Sequence, residues 1–250
     1  MPKIMTQKNK PNTVLVIIAM AAEAAPCIEA LGLKPEEDVF DRRLPMKAYC
    51  GHRGGIRLML ATNGIDPRFG VDQVATQPAA VSAYAAIQRF DPDMVINAGT
   101  AGGFKRAGLE IGETVISRDS LKFHDRRIPL AGFDAYGIGS YPCADMVQMA
   151  EALGLKTKGI STGNSLDMTP TDLEMIEKNH AAIKEMEAAA VAWVAWTMEK
   201  PFMALKTISD FLDSPEKSEK QFSRNLVQAA KNLSCQLTRV LDYLDSLGKS

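Results

Sequence analysis

Three separated stretches of this chain carry side chains suited to gripping a hydroxylated ligand and moving protons on it. Residues 184–192 read Lys-Glu-Met-Glu-Ala-Ala-Ala-Val-Ala, so Glu185 and Glu187 flank Met186 where a helix of small apolar residues is expected to begin. A carboxylate at a helix start can accept two sugar hydroxyl hydrogens or bind a cation, and small residues behind it permit close packing beneath. Taken alone, the pattern is more often an ordinary first turn in which the helix dipole favours Glu. Two other stretches shift the balance. Asn97-Ala98-Gly99-Thr100-Ala101-Gly102-Gly103 follows the apolar run Met94-Val95-Ile96, and Ile208-Ser209-Asp210 closes the run from Met203 to Thr207. Both are expected just past a strand end, where open parallel sheets hold their ligands. The three segments therefore point at one crevice.

The elements that must position them follow from periodicity. Thr13 to Ala19 is apolar and β-branched on both faces, which predicts a central strand covered on each side. Ala21 to Leu33 reads as a helix with Pro26 in its first turn. A strand is expected from Ile56 to Ala61 and a helix from Asp72 to Phe90, interrupted or preceded by Pro78; Asp91-Pro92-Asp93 is a turn. Strands follow at Met94 to Asn97 and Thr114 to Ser117. Gly and Pro break the pattern from Leu121 to Tyr141, a loop-rich excursion of the sort that serves a site or an interface. Cys143 to Leu153 predicts a helix, Lys158 to Thr162 a strand, Thr171 to Glu177 a short helix, Glu187 to Met198 the small-residue helix, and Met203 to Ser209 a strand. Phe222, Leu226, Ala230, Leu233, Leu237, Val240 or Leu241, and Leu244 recur at three- and four-residue spacing, which predicts a long amphipathic helix over the sheet. Alternating strands and helices give an α/β fold: a single domain with a central mixed, mostly parallel β-sheet flanked by helices. Residues 1–13 are expected to be a flexible N-terminal segment and 14–248 the domain.

Bulk properties narrow the partners. A chain of 250 residues can bury a core without disulfides or metals. A net charge of −1 with intermixed signs offers no basic face for tracking phosphates, so a small molecule is expected in place of nucleic acid. Cys27, Cys50, Cys143 and Cys235 form no C-x-x-C pair, which fits a reduced setting and gives no zinc or redox motif. No apolar run approaches the roughly 20 residues of a membrane span, and no secretory pattern follows the polar, basic first residues. The expected location is cytoplasmic, with no membrane partner.

With these residues in view, the chain resembles the 5'-methylthioadenosine/S-adenosylhomocysteine nucleosidases, within the purine nucleoside phosphorylase superfamily, from about Val14 to Leu244. The likeness is carried by Ile18-Ala19-Met20-Ala21-Ala22-Glu23, Ile96 to Gly103, His124-Asp125-Arg126-Arg127-Ile128-Pro129, Ser161 to Met168, Glu185-Met186-Glu187-Ala188, and Ile208-Ser209-Asp210. Each motif alone is weak; their joint order and spacing is strong. The His124–Pro129 and Ser165–Met168 segments look closest to plant-type members.

The resemblance implies roles that chemistry can check. Cleaving an N-glycosidic bond to adenine needs an acid at N7 and stabilisation of an oxocarbenium-like sugar. Asp210 matches the family's acid, and a closed pocket would raise its proton affinity by desolvation. Its bland alternative is a cap on the turn that follows. Glu23 matches the general base that deprotonates the attacking water. Glu187 matches the acceptor of the ribose hydroxyls, with Met186 against the sugar; charge-assisted bonds of this kind are worth about 1.5 to 3 kcal/mol each. Thr100 and the Gly102-Gly103 turn match the loop under ribose and water. Leu166 and Asp167 match the segment that stacks on adenine and meets its edge through the backbone. Ser209 and Lys206 match supports for the acid and the water. His124 titrates near neutrality, yet the resemblance places it in a loop near the alkylthio pocket and dimer contact, so a structural role is expected. Trp193 and Trp196 read as packing against a neighbour such as a second subunit, and a homodimer without cofactor or metal is expected.

Two departures stand out. Asn164 replaces the family's Asp, trading an acceptor for an amide with two donors. Asp66-Pro67-Arg68 replaces a glycine-bearing stretch in the loop from Asn63 to Gln77. Phosphorolysis would need an arginine cluster, and Asn97 and Ala98 stand where superfamily phosphorylases commonly have Arg; hydrolysis is favoured, with Arg68 the one candidate for reaching phosphate. An NAD-binding oxidoreductase is disfavoured because the glycines do not fit G-x-G-x-x-G. A non-catalytic nucleoside-binding protein would be expected to lose Glu23 or Asp210, and both remain.

Overall fold

A computed structural model describes residues 10–247. The expectation for residues 1–9, and for residue 248, lies outside that range. Residues 10–13 are held: Lys10 pairs with Asp245 at 2.6 Å, and Asp93 accepts from the N–H groups of Asn12 and Thr13.

In chain order the first elements are β1 (Thr13–Ile18), α1 (Ala21–Ala30), β2 (Lys34–Glu36), β3 (Lys47–Arg53), β4 (Ile56–Thr62), the short pair β5 (Ile65–Asp66) and β6 (Val71–Asp72), α2 (Thr76–Phe90) and β7 (Met94–Gly103). They are followed by β8 (Thr114–Phe123), α3 (Phe133–Ile138), β9 (Tyr141–Pro142), α4 (Val147–Leu153), β10 (Lys156–Thr162) and α5 (Pro170–Lys178). The last are β11 (Ile183–Glu185), α6 (Ala188–Thr197), β12 (Phe202–Phe211) and α7 (Ser218–Ser246). The main sheet has the order β11-β10-β8-β12-β7-β1-β4-β3-β2. Parallel pairing dominates its centre, where β4, β1, β7 and β12 run together; β12 pairs β8 antiparallel, and β2, β3 and β4 pair antiparallel at the far edge. β11 is parallel to β10 and also pairs antiparallel with the end of β7, so β7, β12, β8, β10 and β11 close into a ring.

Side-chain alternation explains the layers. Val14, Val16 and Ile18 of β1 enter one core with α1, α4 and α7; Leu15 and Ile17 enter the other with α2 and α6. Along α7 the buried positions include Ala230, Leu233, Leu237, Val240, Leu241 and Leu244, most of the expected stripe, whereas Phe222 and Leu226 near its start are only half-buried and Phe222 lines the cavity described below. Each such leucine or valine removed from water contributes about 1.5 to 3 kcal/mol.

Several boundaries differ from the sequence expectations. The Asn97–Gly103 run and Ile208-Ser209-Asp210 are not past strand ends: they are the final residues of the long β7 and β12. Gly102 and Gly103 stay extended because β12 and β11 pair them on either side, and Gly99 because it pairs with Lys206 of β12. Lys184 and Glu185 belong to β11, and the helix starts only at Ala188, with Glu187 as its N-cap. α1 stops at Ala30, α2 begins at Thr76 because residues 71–72 pair in β6, and α4 begins at Val147. The excursion from Leu121 to Tyr141 contains the end of β8 and helix α3. The β2–β3 hairpin was not anticipated, because Lys47–Arg53 mixes polar residues with few apolar ones on a solvent-facing edge.

Candidate active site

At the carboxyl ends of β1, β7, β11 and β12 lies a cavity of about 550 Å³ lined by Met20, Glu23, Thr100, Gly102, Leu166, Lys184, Glu185, Met186, Glu187, Ser209 and Asp210 among others. Such crevices are where open α/β sheets take ligands, and this volume is that of a small-molecule site.

Glu23 sits in the first turn of α1 and is 4% exposed. Its Oε1 accepts from the Thr100 N–H at 2.8 Å and the Thr100 hydroxyl at 2.5 Å. The space above the Gly99 Cα is shared by the Glu23 carboxylate and the Lys206 ammonium. Lys206 lies under the cavity floor, not on its wall, and is 1% exposed. Its ammonium pairs at 2.8 Å with Glu185, which also accepts from the Thr162 hydroxyl and the N–H groups of Glu187 and Ala188. Burial alone would drive both groups toward neutrality; their contact overrides it and holds Glu185 below, and Lys206 above, its usual range. A lysine so placed adjoins the Glu23 carboxylate and pairs with Glu185, not with Asp210.

Asp210 is 2% exposed. A register shift in the β12–β7 pairing leaves Ser209 as the extra residue between Ile208 and Asp210, the mark of a bulge, and seats Asp210 opposite Gly102. The Ser209 hydroxyl donates to Asp210 Oδ1 at 2.8 Å. A Cβ on Gly102 would lie 2.9 Å from Asp210 Oδ2 and 2.7 Å from a Leu212 methyl, so glycine is what gives the carboxyl its room.

Glu187 faces the cavity half-buried and accepts the Ala75 N–H at 2.9 Å. Burial, with the Glu185 and Glu23 carboxylates adding to it, pushes Glu187 up from 4.5 to about 7 against the opposing pull of Lys206 and of that N–H. Ala75 itself has φ 75° and ψ −175°, a region essentially reserved for glycine. Such a conformation costs of order 1 to 3 kcal/mol, while glycine costs roughly 0.5 to 1 kcal/mol in unfolded-chain freedom. Ala75→Gly is therefore expected to raise the melting temperature by about 2 to 4 °C with the N–H to Glu187 kept; calorimetry showing a lower value would refute the strain.

Leu166 lines the cavity and is 42% exposed. Asp167 does not line it: the residue is exposed and borders an adjoining cavity of about 690 Å³ that also touches Leu166. His124 is away from the cavity wall, 2% exposed, with Nδ1 3.2 Å from the Ser161 hydroxyl and its ring against Gly163. Burial and the nearby Lys184 charge hold the imidazole below its usual range, in keeping with a structural residue. The Asn164 amide is used on both sides: its N–H groups reach Asp125, and its carbonyl accepts from the Thr76 N–H and hydroxyl. An Asp there would oppose Asp125, so the departure at 164 is matched by its surroundings. Arg68 is mostly exposed, bonded to Asp66 at 2.8 Å, and does not line the cavity.

Residues that sequence reasoning missed are Lys184 on the cavity wall, Ala75, and Asp72, which accepts the Ala21 N–H and ties the 63–77 loop to the start of α1. Lys184 adjoins the acidic pair, the one signal that could have marked it. Among the described residues no group of three or more His, Cys, Asp or Glu could hold a metal, and no helix is long and apolar enough to cross a membrane.

The acidic cavity at the carboxyl ends of β1, β7, β11 and β12 fits an α/β protein that handles a small molecule, and the phosphorylase superfamily sequence model matches residues 13–242. The chain is 37% identical over 235 residues to the 5'-methylthioadenosine nucleosidase of Arabidopsis thaliana, covering 94% of this chain and 88% of that one. It is 36% identical over 239 residues to the 5'-methylthioadenosine/S-adenosylhomocysteine nucleosidase of the same plant, covering 95% and 94%. The solved apo structure of the Arabidopsis 5'-methylthioadenosine nucleosidase superposes with a TM-score of 0.92 at 36% identity, covering 94% of this chain and 97% of that one. Within the phosphorylase superfamily, the chain belongs to the 5'-methylthioadenosine/S-adenosylhomocysteine nucleosidase family.

Proposed function

We propose that this protein hydrolyses the N-glycosidic bond of 5'-methylthioadenosine to adenine and 5-methylthioribose. The observation that carries the reading is the convergence of Glu23, Glu187 and Asp210 on one cavity. Asp210 donates a proton to N7 of the base, making it a leaving group. Glu23, held by Thr100, takes the proton of the attacking water. Glu187 accepts the ribose hydroxyls beside Met186, and Leu166 covers the base. Lys206 acts from beneath, balancing the Glu23 and Glu185 charges. Asp167 supplies no side chain to the cavity, so its part is confined to the backbone.

Water is favoured over phosphate as nucleophile by charge. The cavity is lined by Glu23, Asp72, Glu185, Glu187 and Asp210 against the single ammonium of Lys184, and no arginine lines it. A dianion entering that field would be repelled. Incubating the purified protein with 5'-methylthioadenosine, with and without phosphate, and detecting free adenine tests this directly: hydrolysis predicts equal release in both, and phosphate-dependent release would replace this reading with phosphorolysis. The same assay with S-adenosylhomocysteine reads whether the longer 5' substituent is taken.

The Glu187 carboxyl predicts a pH effect. In the empty protein its raised value means that the folded state keeps a proton that the unfolded chain loses above about 4.5; this group's stabilisation is full below that and lost as pH rises through about 7. A sugar diol donating to it favours the ionised form. Affinity for an uncleavable riboside should therefore rise with pH, close to tenfold per unit well below 7 and level above. Calorimetric titration from pH 5.5 to 8.5 that gave a flat affinity would end the assignment.

The homodimer reading is supported by exposed Val81 and Tyr84 on α2 and Trp193 and Trp196 on α6, helices that pack side by side. Light scattering that gave the monomer mass would remove it. The activity belongs to methionine salvage in the cytoplasm; recovery of the native protein in membranes or outside the cell would contradict that placement.

A further inference from the structure

We infer that Lys184 is a positioning residue for the base end of the site: its ammonium grips the carbonyls of Ser165 and Leu166 and so sets the Leu166 wall against the bound purine. The inference rests on the nucleosidase reading and adds to it a residue that contributes no proton transfer.

Lys184 lies on β11, between Ser161 of β10 and Gly102 of β7, so the strand that delivers it is fixed on both sides. It lines the cavity yet is only 4% exposed. Its Nζ donates to the Leu166 carbonyl at 3.0 Å and, closer still, to that of Ser165. The segment it grips is otherwise loose: Asn164, Ser165, Leu166 and Asp167 are exposed, and the loop divides the 550 Å³ cavity from the 690 Å³ one beside it. Asn164 is anchored through Asp125 and Thr76, and Thr169 through the capping box with Asp172 at the start of α5. Between those anchors, among the described residues, the hydrogen bonds to the loop backbone are the two from Lys184.

Burying an ammonium to hold two carbonyls is costly unless other charges support it. Burial holds the Lys184 ammonium below its usual range, and the charges of Asp210 of β12, Asp172 of α5, Asp167 of the loop and Glu185 of β11 oppose that pull, while the neutral-leaning His124 lies nearby. A cation surrounded in this way is held in one place, and its two acceptors are held with it. An apolar residue at 184 would leave both carbonyls free and the Leu166 side chain unplaced, at the end of the cavity marked by Asp210.

The test separates the base from the sugar. In Lys184→Met, KM for 5'-methylthioadenosine and the inhibition constant of adenine should both rise by roughly 10- to 100-fold, the loss of charge-assisted hydrogen bonds, with kcat changed far less. The inhibition constant of 5-methylthioribose should stay unchanged, and Lys184→Arg should restore part of the adenine affinity. Leu166→Ala, which leaves the buried charge in place, should weaken adenine and spare the sugar. A folded Lys184→Met protein with wild-type adenine affinity, or one that loses adenine and sugar affinity equally, overturns the proposal. If Lys184→Met does not fold, Leu166→Ala carries the test, and unchanged adenine affinity there is equally fatal, because the wall that Lys184 sets would then not touch the base. Wild-type protein that releases no adenine would instead overturn the nucleosidase reading, so the two failures are distinct.

Discussion

Asp210→Asn should lower kcat for adenine release by about 10²- to 10⁴-fold, the usual contribution of a positioned general acid. The substitution keeps shape. An Asn carbonyl can still accept the Ser209 hydroxyl that now lies 2.8 Å from Asp210 Oδ1, and the room above Gly102 is unchanged. What is lost is a transferable proton, because an amide N–H can donate a hydrogen bond to N7 but cannot protonate it. KM and melting temperature should therefore move little while turnover collapses. Single-turnover adenine release and a thermal melt on the same preparation check it; turnover within a few-fold of wild type would show that the base departs without this acid.

Lys206→Met should destabilise the fold by about 3 to 5 kcal/mol, a large part of the 5 to 15 kcal/mol that domains possess. Both partners of the Lys206–Glu185 pair have side chains only 1% exposed, and the ammonium also offsets Glu187 and Glu23. Without it, Glu185 is a buried charge facing two like charges. The sign with pH follows from the directions. In the native protein Lys206 holds Glu185 below its usual range, a stabilisation present above the ordinary Glu value and lost as pH falls. In the variant, burial raises Glu185 instead, so protonation relieves it and the deficit relative to wild type should shrink at lower pH. Urea titrations at pH 7.5 and 5.5 measure this. Adding Glu185→Gln, which keeps an acceptor for Thr162 and the N–H groups of Glu187 and Ala188, should recover much of the loss; equal deficits at both pH values would show that the pair is not what the charge serves.

Much of the frame was legible because local pattern and tertiary burial agree. Val14 to Ile18 is apolar on both faces because β1 sits between two helical layers, and the α7 stripe recurs every three to four residues because one side of that helix covers the sheet. The chemistry-bearing types were legible too. Carboxyls at 187 and 210 and the glycines of 99 to 103 stood out by type and place, while their roles, and that of Glu23 in an ordinary alanine-rich helix start, came from the family resemblance that the motifs carry only together.

The edges and the fine placement were not legible. The β2–β3 hairpin has no strong alternation, since its strands are half wet. The extension of β7 and β12 through residues that favour turns depends on partners distant in the chain. Which of two consecutive loop residues presents its side chain was not legible either: Leu166 lines the cavity and the Asp167 side chain does not, so only a backbone part, the one the resemblance implies, is open to Asp167.

The amino-acid sequence by itself determined the α/β class, the covered central strand and the amphipathic last helix, because these rest on side-chain type and short-range periodicity; the acids it offers for chemistry took their roles from the family resemblance. Only the tertiary structure decided that β11 closes a ring against the end of β7, that Ser209 bulges to seat Asp210 over Gly102, that Lys206 lies beneath the floor paired to Glu185, and that Lys184 holds the Leu166 loop. Those outcomes are set by backbone pairing and charge compensation between residues far apart in sequence, and the free energy of such contacts exists only once the chain has folded around them.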